Sequence, residues 1–405
     1  MKSGSIHGAA AIAAASLACS LAAFTAPAAA QELRIGFMNT YSGGGAVLGK
    51  HQDNGWKIGL AHVGWTKDGD KIGGVPTKIF YADDQQKVDI GVKEAEKLLK
   101  QDKVHILAGI IWSNILMAVT KPAFEQKTIL MTTNAGASPV AGAACNPLFI
   151  STSWNNDQNP EALGKRMSDD KIASIYLMAP NYQAGKDMIA GLMRSLKGPK
   201  VLGQDLVKLG ESDFQANISK LRAEKPAAVF AFMPGAMAIA FMKQWGASGV
   251  GKEIKLYTVF SVDNATLPAI GEAAVGSYHS SHWGTDLPFE ATKKFVKDYV
   301  AKFNGQPSEF AAQAYDAVIL IDTAVKALKG KIDDPAALAK ALRHTPYAST
   351  RGPYQYNVNG VPIQNFYLRE VVKGADGKPA IVTRGAILEK HKDAYWEQCP
   401  AAMRL

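Results

Sequence analysis

Cysteine is scarce: the 405 residues hold three, and one of them, Cys19, falls in a segment that export would remove. The two that remain, Cys145 and Cys399, exclude any paired C-x-x-C zinc or redox motif. Also missing are the G-x-S-x-G elbow, the H-E-x-x-H helix and the P-loop, so no readable motif supplies a nucleophile, a catalytic zinc or a phosphate cradle. Beyond Phe24 no apolar run approaches the ~20 residues that span a bilayer. The formal charge is +9, but the basic residues are scattered among acids without the tight clusters of a nucleic-acid surface. A helix-turn-helix segment is lacking as well, which argues against a one-component regulator.

What is present begins at the N-terminus. Lys2 precedes an alanine-rich apolar run from Ala9 to Phe24, and Ala28-Ala29-Ala30 offers small residues for cleavage. This is the pattern of a secretory signal peptide over residues 1–30, and it predicts an exported, periplasmic product beginning at Gln31. Leu17-Ala18-Cys19 resembles the end of a lipobox, which would instead leave an acylated Cys19, although Ser16 stands where that motif wants leucine. Cleavage after Ala30 leaves 375 residues, more than one core of ~100–150 residues and comfortable for two. In an oxidising compartment, Cys145 and Cys399 are the only pair available for a disulfide.

Along the chain, strands and helices alternate. Strand patterns at 33–38, 78–82, 105–108 and 129–131 are separated by helical patterns at 49–63, 88–100 and 113–124. A second series has strands at 173–178, 201–209, 228–232 and 255–260, with helices between them. Three helices at about 289–303, 310–328 and 335–343 follow, then strand-like stretches at 366–372 and 380–383. Alternation of this kind argues for α/β architecture with parallel sheets covered on both faces. The restart after residue 150 argues for two interleaved lobes: 31–150 plus 278–352, and 151–277 plus 353–390, with 391–405 as a tail. Chain crossings are expected near Ile150, Val275–Tyr278 and Gly352–Tyr354.

Three loops lie at the carboxyl ends of strands, where open α/β sheets bind ligands. Ser42-Gly-Gly-Gly45 opens a helix in the manner of a dinucleotide loop. Its spacing is not G-x-G-x-x-G, however, and Asp83 lies forty residues past Gly43 where the fingerprint expects ~20, so no cofactor is expected. The general physics remains, because a glycine loop at a helix N-terminus bares N–H groups that favour an anion. In Gly109-Ile-Ile-Trp-Ser-Asn114, Ser113 could cap its helix or touch a ligand. The third loop is Thr133-Asn-Ala-Gly-Ala-Ser-Pro139. His279 and His282, three apart on an extended segment, point to opposite faces and read as ordinary polar residues, with no metal site.

Five segments carry a resemblance: Ile35-Gly-Phe-Met-Asn-Thr-Tyr-Ser-Gly43, Ile106-Leu-Ala-Gly-Ile-Ile-Trp-Ser113, Asn134-Ala-Gly-Ala-Ser-Pro139, Asn181-Tyr-Gln-Ala-Gly185 and Ala314-Tyr-Asp-Ala317. In that order and spacing, from about Leu33 to Ile387, the chain resembles the type I periplasmic binding proteins of the branched-chain amino acid transport class. The resemblance implies two Rossmann-like lobes joined by three crossovers, a cleft that closes by hinge bending, and a monomer that hands a small carboxylate to an inner-membrane ABC permease. It implies ligand contacts from Tyr41 and Ser42 in the first loop, Trp112, Ser113 and Asn114 in the second, and Asn134, Ala135, Gly136 and Ala137 in the third. Tyr182 would cover the ligand, and Ser261 or Asp263 would stand near the acid that receives an α-amino group.

Two departures bear on the ligand. Ala137 stands where amino-acid receptors of this class carry a serine or threonine, which removes a hydroxyl contact. Trp112 and Trp154 offer flat apolar surface suited to an aromatic ring. An aromatic or other hydrophobic carboxylate is therefore expected to rival a leucine-like amino acid. A sensory subunit of the same fold and an enzyme on a doubly wound sheet are the alternatives, the latter without any readable acid–base pair.

Overall fold

Local apolarity sorts the strands before any sheet is assembled. Leu33–Asn39 (β1) and Ile106–Gly109 (β4) are buried on both faces, as central parallel strands require, whereas Val75–Asp83 (β3) alternates buried and half-exposed residues. The computed structural model, which describes Met1 and residues 31–405, places them accordingly. With Lys71–Ile72 (β2), Ile129–Thr132 (β5) and Phe149–Ser151 (β6), they form a six-stranded sheet of order β2-β3-β1-β4-β5-β6, parallel except for β2. The expected signal segment and its Cys19 lie outside the described residues. Among the described residues, no helix is long and apolar enough to cross a membrane.

The second sheet contains Ser174–Pro180 (β7), Lys200–Val207 (β8), Ala228–Phe232 (β9), Lys255–Val259 (β10) and Tyr278–Ser281 (β11) in parallel. Its C-terminal strands Gln355–Tyr356 (β12), Pro362–Lys373 (β13) and Pro379–His391 (β14) join antiparallel, giving the order β12-β13-β11-β10-β9-β7-β8 with β14 beside β13. The fold is two Rossmann-like lobes joined by three crossovers. Because β11 pairs with β10, the chain leaves the second lobe after Ser281, a few residues beyond the expected Val275–Tyr278. β14 is also much longer than the stretch at 380–383. Its turn and charged residues hid a two-stranded antiparallel arm, which pairing with β13 sustains across several register shifts.

Helices cover both faces. In the first lobe these are Ala46–His62 (α1), Val88–Glu96 (α2), Ser113–Glu125 (α3) and Ser138–Ala141 (α4). The second lobe has Gln158–Asp169 (α5), Gln183–Ser195 (α6), Gln215–Glu224 (α7), Ala236–Ser248 (α8) and Leu267–Ile270 (α9). Glu290–Phe303 (α10), Glu309–Ala327 (α11) and Pro335–His344 (α12) return to the first lobe. α11 is buried along nearly its whole length, which fits its mostly apolar sequence. It packs on α1 closely enough that a Cβ on Gly55 would lie 1.9 Å from the carbonyl oxygen of Ala311.

The order of each sheet fixes where a ligand can go. In the first sheet the chain runs from β1 outward to β3 and then back across to β4, so the strand order reverses between β1 and β4. In the second sheet it reverses between β7 and β9. A crevice opens at the carboxyl ends of strands at each such switch point, and here one apolar cluster joins residues from both, including Leu48, Trp112, Trp154, Phe232, Phe260 and Phe310. Cys145, just before β6, and Cys399, past β14, are joined by a disulfide with Cα atoms 5.5 Å apart.

Candidate functional site

At the first switch point, β4 ends at Gly109 and the chain turns through Ile110, whose φ of +68° is unusual for a β-branched residue. The turn delivers Trp112 and Ser113 to the start of α3. Ser113 is the first helical residue, and its hydroxyl does not cap the helix. Instead it accepts a hydrogen bond from Asn156 Nδ2 at 3.0 Å. The first-turn amides of α3 have no intrahelical acceptor, so this N-terminus favours an anion.

Trp112 is held by a relay. Its indole N–H donates to Thr40 Oγ1 at 2.9 Å, and Thr40 donates to Asp84 Oδ1 at 2.6 Å. Burial raises the Asp84 pKa despite the hydrogen bond from Thr40. The glycine loop serves this tryptophan: a Cβ on Gly45 would lie 2.5 Å from Trp112 Cζ2.

The third loop contributes Asn134 and Ala135. Asn134 Nδ2 donates to the Ile111 carbonyl at 2.8 Å, while its Oδ1 is buried without a hydrogen-bond partner. The Ala135 amide donates to the Ile110 carbonyl at 3.1 Å and is thus engaged within the protein. Gly136 accepts from the Asn156 amide at 2.8 Å. A Cβ there would meet the Trp154 carbonyl at 2.6 Å.

Facing these groups, the second lobe presents rings. Tyr182 precedes α6, Phe232 ends β9, and Phe260 follows β10 with a φ of +53°. Trp154, on the first crossing segment, stacks on Phe260 with centroids 4.1 Å apart and meets Phe310 edge-on at 6.3 Å. Phe232 stands at 85° to Phe260 and lies stacked against Tyr182. Burial raises the Tyr182 pKa far above the usual phenol range, which keeps the hydroxyl neutral. These rings, with Trp112, Ser113, Asn134, Ala135 and Asn156, line one small, partly open cavity between the switch points.

Several candidate residues lie elsewhere. Tyr41 and Ser42 are exposed on the first loop, where the Tyr41 amide and the Ser42 hydroxyl donate to Asp83. Asn114, Gly136 and Ala137 do not line the cavity. Ser261 is buried within the second sheet's loop, accepting from the Met233 amide. Asp263 is buried, with Oδ1 accepting from the Ala265 and Thr266 amides and Oδ2 unpartnered. Burial raises its pKa to about 6. Glu309, fully buried nearby and accepting from the Ser281 hydroxyl, rises to about 8 through burial and the charge of Asp263. Neither carboxyl borders the cavity. His279 and His282 are buried and held neutral, and no cluster of three or more metal-ligating side chains occurs among the described residues.

Sequence reasoning missed Asn156, Phe232, Phe260 and Phe310 as cavity residues. The signal for Asn156 was Ser151-Thr-Ser-Trp-Asn-Asn-Asp157, a polar run that composition assigns to a solvated linker and the fold buries completely.

The sequence profile described as "Periplasmic binding protein" matches residues 32–378. The chain belongs to this family. Among curated relatives, the periplasmic binding protein is 28% identical to Leu/Ile/Val-binding protein homolog 6 of Brucella melitensis, over 86% of this chain and 90% of the relative. Among solved structures, a solute-binding protein of an ABC transporter from R. palustris in complex with benzoate matches with a TM-score of 0.84. It is 29% identical and covers 91% of this chain and 100% of its own. Another, from Rhodopseudomonas palustris BisB5 in complex with 3,4-dihydroxy benzoic acid, has a TM-score of 0.83 and 26% identity, covering 90% and 99%. The isoleucine-bound LivJ of Streptococcus pneumoniae shares the fold at 19% identity, with a TM-score of 0.76 over 88% and 100%.

Proposed function

We propose that this binding protein captures an aromatic monocarboxylate of the benzoate class in the cleft and delivers it, as an exported monomer, to an ABC permease of the inner membrane. The chain is a solute-binding receptor of an ABC importer, a class that works on small-molecule ligands with a permease. The observation that carries the ligand reading is the division of the cavity. One wall offers a hydroxyl at a helix N-terminus for a carboxylate, and the opposite wall offers the edges and faces of Tyr182, Phe232, Phe260 and Trp154 for a flat ring. Binding and release need no bond to be made or broken, so the site requires no nucleophile and no acid–base pair. The benzoate and dihydroxybenzoate complexes of the two R. palustris proteins support the same class.

A branched-chain amino acid is the second reading, favoured by the curated relative's name and by the buried acids Asp263 and Glu309. An ammonium in the cavity would need a carboxylate partner, because burying an unpaired charge is costly. Both acids lie outside the lining, and Asp263 Oδ1 is engaged in its own turn. Calorimetric titration with matched pairs, phenylacetate against phenylglycine and 4-methylpentanoate against leucine, decides between the readings in wild type and Asp263→Ala. The acid without the amino group is expected to bind more tightly in each pair, with little effect of the mutation. An amino acid that binds far more tightly, and loses that advantage in Asp263→Ala, establishes the amino-acid reading instead.

A further inference from the structure

One carboxylate near the cavity is neither a ligand group nor a structural ion pair. Asp187 lies on α6 of the second lobe and is buried. It accepts four hydrogen bonds: from the Ser138 amide at 3.0 Å, the Ser138 hydroxyl at 2.6 Å, Gln183 Nε2 at 2.8 Å and Asn156 Nδ2 at 3.0 Å. Gln183 belongs to the same helix. Ser138 opens α4 of the first lobe, and Asn156 belongs to the first crossing segment. Asp187 therefore gathers donors from both lobes and from the strap between them. Opening the cleft would part it from Ser138.

The same Asn156 amide nitrogen donates to Ser113 Oγ at 3.0 Å. Its two protons thus serve Ser113 and Asp187 together, and its orientation follows from the carboxylate, which can only accept. A Ser113 oxygen that accepts from Asn156 has its own proton free to turn toward a ligand carboxylate. The chain Ser113, Asn156, Asp187, Ser138 runs unbroken from the anion end of the cavity to a contact between the lobes. A second cross-lobe bond, from the Ala236 amide to the Gly44 carbonyl at 3.1 Å, closes another rim of the cleft.

We infer that Asp187 is the closing latch of the cleft and the positioning residue for Ser113, coupling capture of the ligand carboxylate to lobe closure. The positioning half rests on the reading of Ser113 as the carboxylate contact; the latch half does not. Because both lobes must already be together for Ser138 to reach Asp187, the latch acts on ligand escape and not on ligand entry.

The test is stopped-flow binding and small-angle scattering on the mature chain, in wild type, Ser138→Ala and Asp187→Ala. Benzoate is the first probe and isoleucine the second, and the one that wild type binds is carried through the series. Ser138→Ala, which leaves Asp187 three of its four donors, is expected to raise the dissociation rate about tenfold, the effect of one hydrogen bond to a charged group. Its association rate should stay within about twofold, as interface changes act mostly on dissociation. In Asp187→Ala the dissociation rate should rise further, and the bound protein should keep the larger radius of gyration of the free form. Should Asp187→Ala fail to fold, Ser138→Ala carries the test alone. Dissociation rates unchanged in the variants that fold overturn the latch. Wild type that binds isoleucine and not benzoate overturns the aromatic reading while leaving the latch to be judged by its own rates.

Discussion

The carboxyl ends of β1 and β4 and those of β7 and β9 are the same topological feature in two sheets, yet they carry different chemistry. The first presents a helix N-terminus, a serine hydroxyl and an asparagine amide; the second presents aromatic rings. The difference follows from what each turn admits. After β4 the chain needs only to reach α3, and its first helical residue meets the cavity directly. In the second sheet Phe232, which ends β9, and Phe260, which follows β10, are themselves large and line the crevice, and the start of α6 reaches it only with Tyr182 and the small Ala184. A switch point supplies a crevice, and the side chains at the strand ends decide whether backbone polarity or ring surface lines it.

The largest expected effect tests whether this division depends on the covalent tie between distant segments. Replacing Cys145 and Cys399 with alanine should cost about 3–5 kcal/mol of stability in urea unfolding, since the bond closes a loop of 254 residues. The order of ligand preference should survive the change. An altered preference would mean that the tail, and not the switch points, shapes the cleft.

Ser113→Ala strikes the polar wall. It should weaken benzoate by about 1.5–3 kcal/mol in calorimetry, the range for a hydrogen bond to a charged group. Loss of less than about 0.5 kcal/mol would remove Ser113 from the site.

Outside the cavity lining, the buried acids give a pH signature. Burial raises Glu309 to about 8 from an unfolded value of 4.5, so the folded state keeps a proton that the unfolded state releases. Its contribution is fully present below the unfolded value and is lost as pH rises through 8. Between pH 7 and 8, above the value of about 7 to which burial raises Asp157, the buried His279 and His282 are neutral in both states for most of the window. There stability should fall by up to about 1.4 kcal/mol per pH unit, and Glu309→Gln should flatten the slope. A slope unchanged in Glu309→Gln would place that proton elsewhere.

The smallest effect sharpens the aromatic wall. Phe232→Leu keeps the side chain apolar, at somewhat smaller volume, and removes ring contact, so it should cost an aromatic acid about 0.5–1.5 kcal/mol and an aliphatic acid less. Equal losses for benzoate and 4-methylpentanoate, measured by titration, would show that the wall reads volume alone.

The residues legible in the sequence were those whose local setting carries its own physics. Ser113 and Trp112 follow a short apolar strand and open a helix, and a strand–turn–helix of that kind can be read without knowing its neighbours. Tyr182 was legible for the same reason. Tyr41 and Ser42 share that setting but turn outward, because Asp83 draws both onto the surface. Gly45 of their loop, which was read as an anion nest, makes room for Trp112, about seventy residues further along the chain. Phe232, Phe260 and Phe310 looked like core because they are core on one side; only the approach of the other lobe gives them a second, ligand-facing side.

By itself the sequence determined the α/β class, the alternation that builds two parallel sheets, most helix limits and the strand ends where a ligand could sit. These depend on periodicity and turn chemistry within some fifteen residues, which a chain carries wherever it goes. Tertiary structure alone decided that Tyr278–Ser281 pairs with β10, that Asn156 bridges Ser113 and Asp187, and that Asp263 and Glu309 are buried outside the cavity lining. Each of those depends on contacts between segments far apart in the chain, and their energies exist only once the lobes have packed.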